Sequence, residues 1–214
     1  MRDLLRHVGG VHRWAKTYVA ESRLEPMDET EEGSLMGGWP ERDEELIEWF
    51  RQGHASLVHT LETADPALSC WTFLAAPSPL AFWARRQAHE TAIHRADAES
   101  PREAITPFPP AFAADGIDEL LSCFLTRSSG GLRADPPRRL QVKTTDEPAN
   151  WLVEIGPQRV VVSPDGGAAD CAVSGPASEL YLLLWNRRGA EGLDVRGDRS
   201  LLEGWRRMAR IRWS

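Results

Sequence analysis

The stretch RRQAHETAIH, Arg85 to His94, sets a carboxylate and an imidazole four positions apart, Glu90 and His94. On a helix, residues i and i+4 share a face with Cβ atoms about 5–6 Å apart, so the pair can ligate one metal ion. His89 lies about 100° around the same helix and is the weaker partner. Asp97, three residues beyond His94, is placed to hydrogen-bond a ligating ring from behind. A Glu–His pair at this spacing is also common on solvated helix faces, so a site needs a further ligand from elsewhere. His7 is one candidate: it follows Leu4 by three residues and precedes Val8, which turns it toward a helical interior. His12 competes from the same segment. Two histidines and one carboxylate leave an open fourth position on zinc, the pattern of catalytic rather than structural sites. His54 and His59 read as partly exposed or core-edge histidines.

The elements that must position these residues are helical. RDLLRHVGGVHRWAKTYVAESR spaces Leu4, Val8, Val11, Ala15 and Tyr18 as one helix face, although Gly9 and Gly10 each weaken it by about 1 kcal/mol. EPMDETEEGSLMGGWP reads as an acidic, glycine-rich loop. Asp43 is expected to cap a second helix over roughly 44–64, with Leu46, Trp49, Phe50, Leu57 and Leu61 on its apolar side. Ser78-Pro79 is a cap followed by proline at the first helical position, and predicts a third helix over about 80–98. A proline-rich link leads to a shorter helix around 116–126. RSSGGLRADPPRR reads as a domain boundary. Beyond it the period changes to short strands, LQVKT, NWLVEIG, RVVVSP and ADCAVSG, with Pro157-Gln158 as a hairpin turn. A buried helix from Pro176, a strand in LDVRGD and a closing helix over 199–213 follow. The expected organisation is a helical domain over 1–133 and an α+β domain over 134–214 with a mostly antiparallel sheet.

Composition bounds the function. The chain has 214 residues, 42% hydrophobic and 27% charged, with net charge −7. That is enough for one large domain or two small ones, and it argues against nucleic acid as a partner. No apolar run approaches the ~20 residues of a membrane span, and no signal-peptide core opens the chain, so a cytoplasmic location is expected. Three scattered cysteines form neither a CxxC pair nor a disulfide framework and read as buried free thiols. Of the nine tryptophans, Trp49, Trp83, Trp151, Trp185 and Trp205 fall at apolar-periodic positions, whereas Trp14 and Trp39 are candidates to line a site.

LLRHVGGVHRWA together with FWARRQAHETAIHRADAE resembles the mycothiol-dependent maleylpyruvate isomerase family. PASELYLLLWNRR and LDVRGDRSLLEGW resemble that family's C-terminal domain. The resemblance implies a DinB-like helical bundle followed by a small sterol-carrier-like α+β domain. It also implies a zinc ion held by the histidine of the HVGG stretch and by the Glu and His of the HExxxH stretch, which are His7, Glu90 and His94 here. Zinc would hold a thiol as thiolate, and the thiol implied is mycothiol of actinobacteria. Added to the cis double bond of maleylpyruvate, that thiolate would let the bond rotate, and elimination would give fumarylpyruvate; other members would transfer the thiol to electrophiles. The substrate is then a small anionic electrophile, and an arginine is the apt partner for its carboxylates. The acidic excess is confined to the first 133 residues, so the arginine is expected from the C-terminal domain: Arg187, or failing that Arg188 or Arg196. The alternative is a non-catalytic metal-binding or regulatory protein. Family members usually carry a further helix before the His7 helix. Either the start is misassigned or this helix is missing, and a missing helix predicts an exposed apolar patch including Leu4, Leu5 and Val11, and with it a possible homodimer.

Overall fold

The computed structural model of the protein describes residues 1–102, 105–127 and 131–209. The chain divides into two units, Met1–Ile105 and Thr106–Ser214. The first contains helices α1 (Arg2–Ala20), α2 (Glu29–Gly37), α3 (Asp43–Thr63) and α4 (Pro79–Glu99), closed by a single 3₁₀ turn, and its described residues contain no strand. The Ser78 hydroxyl accepts from the Ala81 amide at 3.1 Å, and Pro79 opens α4 as its sequence predicts.

The paired glycines of α1 have a tertiary reason. A Cβ on Gly9 would run into the ring of Trp49 on α3, and one on Gly10 would lie 2.8 Å from the Met36 carbonyl oxygen on α2. Their lack of side chains lets α1 sit close against both neighbours, which outweighs the lost helix propensity. Below this contact lies an aromatic core: Trp83 is fully buried, Tyr18 stacks on it at 5.0 Å, and Trp14 meets it edge-on at 5.1 Å. Trp14 therefore belongs to the core and does not line a site.

Three expectations for this unit are corrected. Part of the acidic loop is helical: α2 forms because the Asp28 carboxylate accepts from the Thr30 and Glu31 amides, each at 2.9 Å. Glu29, Glu31 and Glu32 also place negative charge at its N-terminus, where the helix dipole favours it. Asp43 does not cap α3; it lies in the first turn, and its carboxylate pairs with Arg2 and, at 3.8 Å, with Arg6. The apolar patch expected on α1 is not there as drawn. Val11 is buried and Leu4 and Leu5 are half-buried, because α2, α3 and α4 all pack on α1.

In the second unit, α5 (Pro110–Asp118) continues into a wider π-helical turn, Glu119–Phe124. The sequence assigns this segment to the helical domain and places the boundary at 133. The structure places the division at Ile105, since α5 packs on α6 (Ala177–Leu184) and the Trp185 indole donates to the Gly116 carbonyl at 3.2 Å. Ser128–Gly130 of the expected boundary lie outside the described residues.

The sheet comprises β1 (Arg138–Thr144), β2 (Asn150–Ile155), β3 (Val160–Ser163), β4 (Cys171–Gly175) and β5 (Asp194–Gly197), in the order β3-β2-β1-β4-β5. Only the β1–β4 pairing is parallel. Inward residues Leu140, Val142, Val153 and Val173 form one side of the core, and Leu180 and Tyr181 of α6 the other. Helix α6 ends where Asn186 turns left-handed (φ 63°), as Asn tolerates at this position, and the Arg187 amide reaches back to the Leu182 carbonyl at 2.8 Å. The closing helix α7 spans Ser200–Met208; the part expected over 210–213 lies outside the described residues. Among the described residues, no helix is long and apolar enough to cross a membrane.

Candidate metal centre

One face of α4 carries a ladder of charge. Arg86, Glu90, His94 and Asp97 follow at spacings of four, four and three, so each meets the next. The Arg86 guanidinium, fully buried, donates to Glu90 Oε2 at 3.1 Å. The His94 Nε2 donates to Glu90 Oε1 at 3.0 Å, and His94 Nδ1 to Asp97 Oδ2 at 2.8 Å. From α1, His7 Nε2 reaches the same Glu90 Oε1 at 3.4 Å, and its ring meets that of His94 edge-on at 4.9 Å. The candidate ligand atoms of His7, Glu90 and His94 all lie within 4.8 Å of one another.

These three donors could hold a metal ion, and zinc sets the scale. Bonds of about 2.0–2.1 Å in tetrahedral geometry put neighbouring ligand atoms about 3.4 Å apart, close to the two contacts already made by Glu90 Oε1. The arrangement also selects which atoms face the metal. Asp97 accepts a hydrogen bond from Nδ1–H of His94 and leaves Nε2 for ligation, while Arg86 occupies the second oxygen of Glu90 and leaves Oε1.

Electrostatics hold the trio ready. Burial alone would raise the Glu90 carboxyl, but hydrogen bonds from His7 and His94 and the charge of Arg86 overcome it and keep the group ionised well below the ordinary carboxylate range. Burial would likewise lower His94, yet its bonds to Asp97 and Glu90 push it up to about 9. The metal-free site is therefore an imidazolium against a carboxylate.

The other histidines are elsewhere. His12 is buried with Nε2 hydrogen-bonded to Thr91 Oγ1 at 2.9 Å, and its ring lies 5.4 Å from that of His54. Burial, with His54 beside it, drops His12 to about 4. His89 is buried outside the converging set, and His54 and His59 are exposed. Trp39 lines a cavity of about 380 Å³ beside the centre, together with Asp3, Arg6, His7, Gly33, Met36 and Gly37.

Two residues escaped the sequence reading. Arg86 stands four before Glu90, a spacing that could have revealed the pairing, but with Arg85 and Arg95 it reads as flanking the metal helix without obviously facing the site. Arg6 reaches the cavity only because α2 folds over α1. In the second unit, Arg187 is half-buried and donates to the Trp185 carbonyl at 2.8 Å, Arg188 pairs with Glu179, and exposed Arg196 pairs with Asp194 at 2.8 Å. Cys70 and Cys171 are buried free thiols, and Cys123 is partly buried.

Comparison with known proteins adds three findings. Residues 1–99 match the family described as mycothiol maleylpyruvate isomerase N-terminal domain, and residues 111–204 match the MDMPI C-terminal domain, so the matches fall on either side of the division at Ile105. A solved structure described as a UbiJ-SCP2 ubiquinone synthesis protein is 25% identical over 46% of this chain and 94% of its own, with a TM-score of 0.33. No curated protein matches the chain.

Proposed function

The chain belongs to the mycothiol maleylpyruvate isomerase family, and from that membership we propose that it is a zinc-dependent, mycothiol-using enzyme that isomerises, or transfers a thiol to, a small electrophilic acid. The observation that carries the proposal is the convergence of His7, Glu90 and His94 within 4.8 Å, beside a cavity of about 380 Å³. These three residues would hold the metal. Zinc, when bound, supplies a cationic centre that keeps a coordinating thiol deprotonated.

The chain's own residues do the rest. Hydrogen bonds from His7 and His94, with the charge of Arg86, keep Glu90 ionised in a buried place where a lone carboxylate would take up a proton. Asp97 holds the His94 proton at Nδ1. An anionic substrate needs a cationic partner, and Arg187 is the proposed one, by bidentate pairing with a carboxylate. The net charge of −7 disfavours a nucleic-acid partner and favours a small molecule. The buried free thiols Cys70 and Cys171 suit a reducing, cytoplasmic location.

Metal analysis of the purified protein, followed by activity assays on maleylpyruvate and a general electrophile with mycothiol and with glutathione, tests this. The expected result is one zinc per chain and turnover only with mycothiol. His94→Ala should lose both. Stoichiometric zinc without thiol-dependent turnover would leave a non-catalytic metal-binding protein.

A further inference from the structure

Arg6 precedes His7 on α1, and both side chains line the cavity of about 380 Å³ with Trp39. The Arg6 side chain is only 23% exposed. Its guanidinium lies 5.2 Å from the centre of the Trp39 ring, which holds it by a cation–π contact. Its two carboxylate neighbours, Asp3 at 3.9 Å and Asp43 at 3.8 Å, stand beyond hydrogen-bonding distance. Among the described residues nothing accepts a hydrogen bond from the Arg6 guanidinium, and its Nε is buried without a partner. A buried Nε–H with no acceptor carries an unmet desolvation cost, and the two terminal nitrogens have only the long ion pairs to Asp3 and Asp43. An acceptor entering the cavity would remove that cost.

We propose that Arg6 binds a carboxylate of the electrophilic acid substrate in the cavity beside His7. The proposal rests on the zinc- and thiol-dependent reading of His7, Glu90 and His94. It gives that reading a substrate-binding cation on the same helix as a metal ligand. A planar guanidinium pairs with a carboxylate through two parallel hydrogen bonds. Asp3 is 97% exposed and Asp43 is 47% exposed and shared with Arg2, so solvent weakens both ion pairs. They oppose an incoming anion without blocking it.

Maleate binding to the zinc-loaded full chain, measured by calorimetry, tests the proposal together with the ratio of kcat/KM for an acid electrophile to that for its neutral ester. Arg6→Met should weaken maleate about 10- to 100-fold, as losing a hydrogen bond to a charged group does, with zinc content unchanged and the acid-over-ester preference collapsed. Arg6→Lys should recover only part of the affinity, because a lysine cannot form the two-point contact. Asp43→Asn should tighten maleate by removing the opposing charge. Unchanged maleate affinity in Arg6→Met overturns the proposal, and so does a rise in KM for the thiol in place of the acid. A parent protein that binds maleate through Arg6 yet shows no thiol-dependent turnover would sink the functional reading and leave the anion site standing.

Discussion

Arg86 and Glu90 form an ion pair inside the helical unit: the guanidinium is fully buried, the carboxylate nearly so, and they meet at 3.1 Å one turn apart on α4. Breaking such a pair from one side leaves an uncompensated buried charge and costs about 3–5 kcal/mol. Arg86→Met should lower the stability of the metal-free protein by less than that, because the charged His94 ring still meets Glu90 Oε1 at 3.0 Å. Zinc should recover part of the loss, because a bound cation replaces the missing positive charge beside Glu90. Thermal denaturation of parent and variant with and without zinc measures both effects. Equal melting of the two metal-free proteins would show that the pair contributes nothing.

Protons compete with the metal at His94. Its folded value of about 9 lies above the unfolded value of 6.5, so in the metal-free protein this group's contribution to stability is full below pH 6.5 and lost as pH rises through 9. Zinc needs the deprotonated ring. Uptake at neutral pH should then release a proton from His94, and apparent zinc affinity should climb with pH, by up to about tenfold per unit, and level off near 9. Asp97→Asn should move the plateau to lower pH and weaken the metal about 10- to 100-fold. Competition titrations with a chelator across pH 6–10 give these numbers; a flat profile would refute the coupling.

The opposite slope should come from His12. Its folded value of about 4 lies below 6.5, because it is buried neutral and faces His54. The unfolded chain binds the extra proton between these limits, so stability is complete above pH 6.5 and falls as pH drops through 4. His12→Gln keeps a side chain able to bond Thr91 and removes the titrating ring. Urea unfolding at pH 7, 5.5 and 4.5 should show a shallower acid loss in that variant than in the parent.

Gly10→Ala should destabilise, although alanine favours an exposed helix over glycine by about 1 kcal/mol. The added methyl would stand 2.8 Å from the Met36 carbonyl oxygen, and overpacking of this kind costs about 1–3 kcal/mol. Relief comes by shifting α2, which carries Gly33, Met36 and Gly37 of the cavity wall. Denaturation and maleate binding should weaken together. A variant that melts higher than the parent would mean that α2 does not rest on α1.

The centre was legible in the sequence because its spacing is helical. Glu90 and His94 stand four positions apart and His94 and Asp97 three, and any helix there puts them on one face. The strands of the second unit were legible for the same kind of reason, a local period. Contacts between elements decided the rest. His7 joins the pair and His12 does not, although both lie on α1, because only the packing of α1 on α4 determines which ring reaches Glu90. Gly9 and Gly10 count against a helix by propensity and are needed by its neighbours, a conflict that only close packing resolves. Helix α2 lacks an apolar stripe and has no buried residue of its own, so its sequence reads as a loop; its cap and its seat on α1 make it a helix. That seat in turn closes the wall that brings Trp39 and Arg6 beside His7. Helix α5 joined the second unit because its partner, α6, lies more than fifty residues later in the chain, and no local period records such a partner.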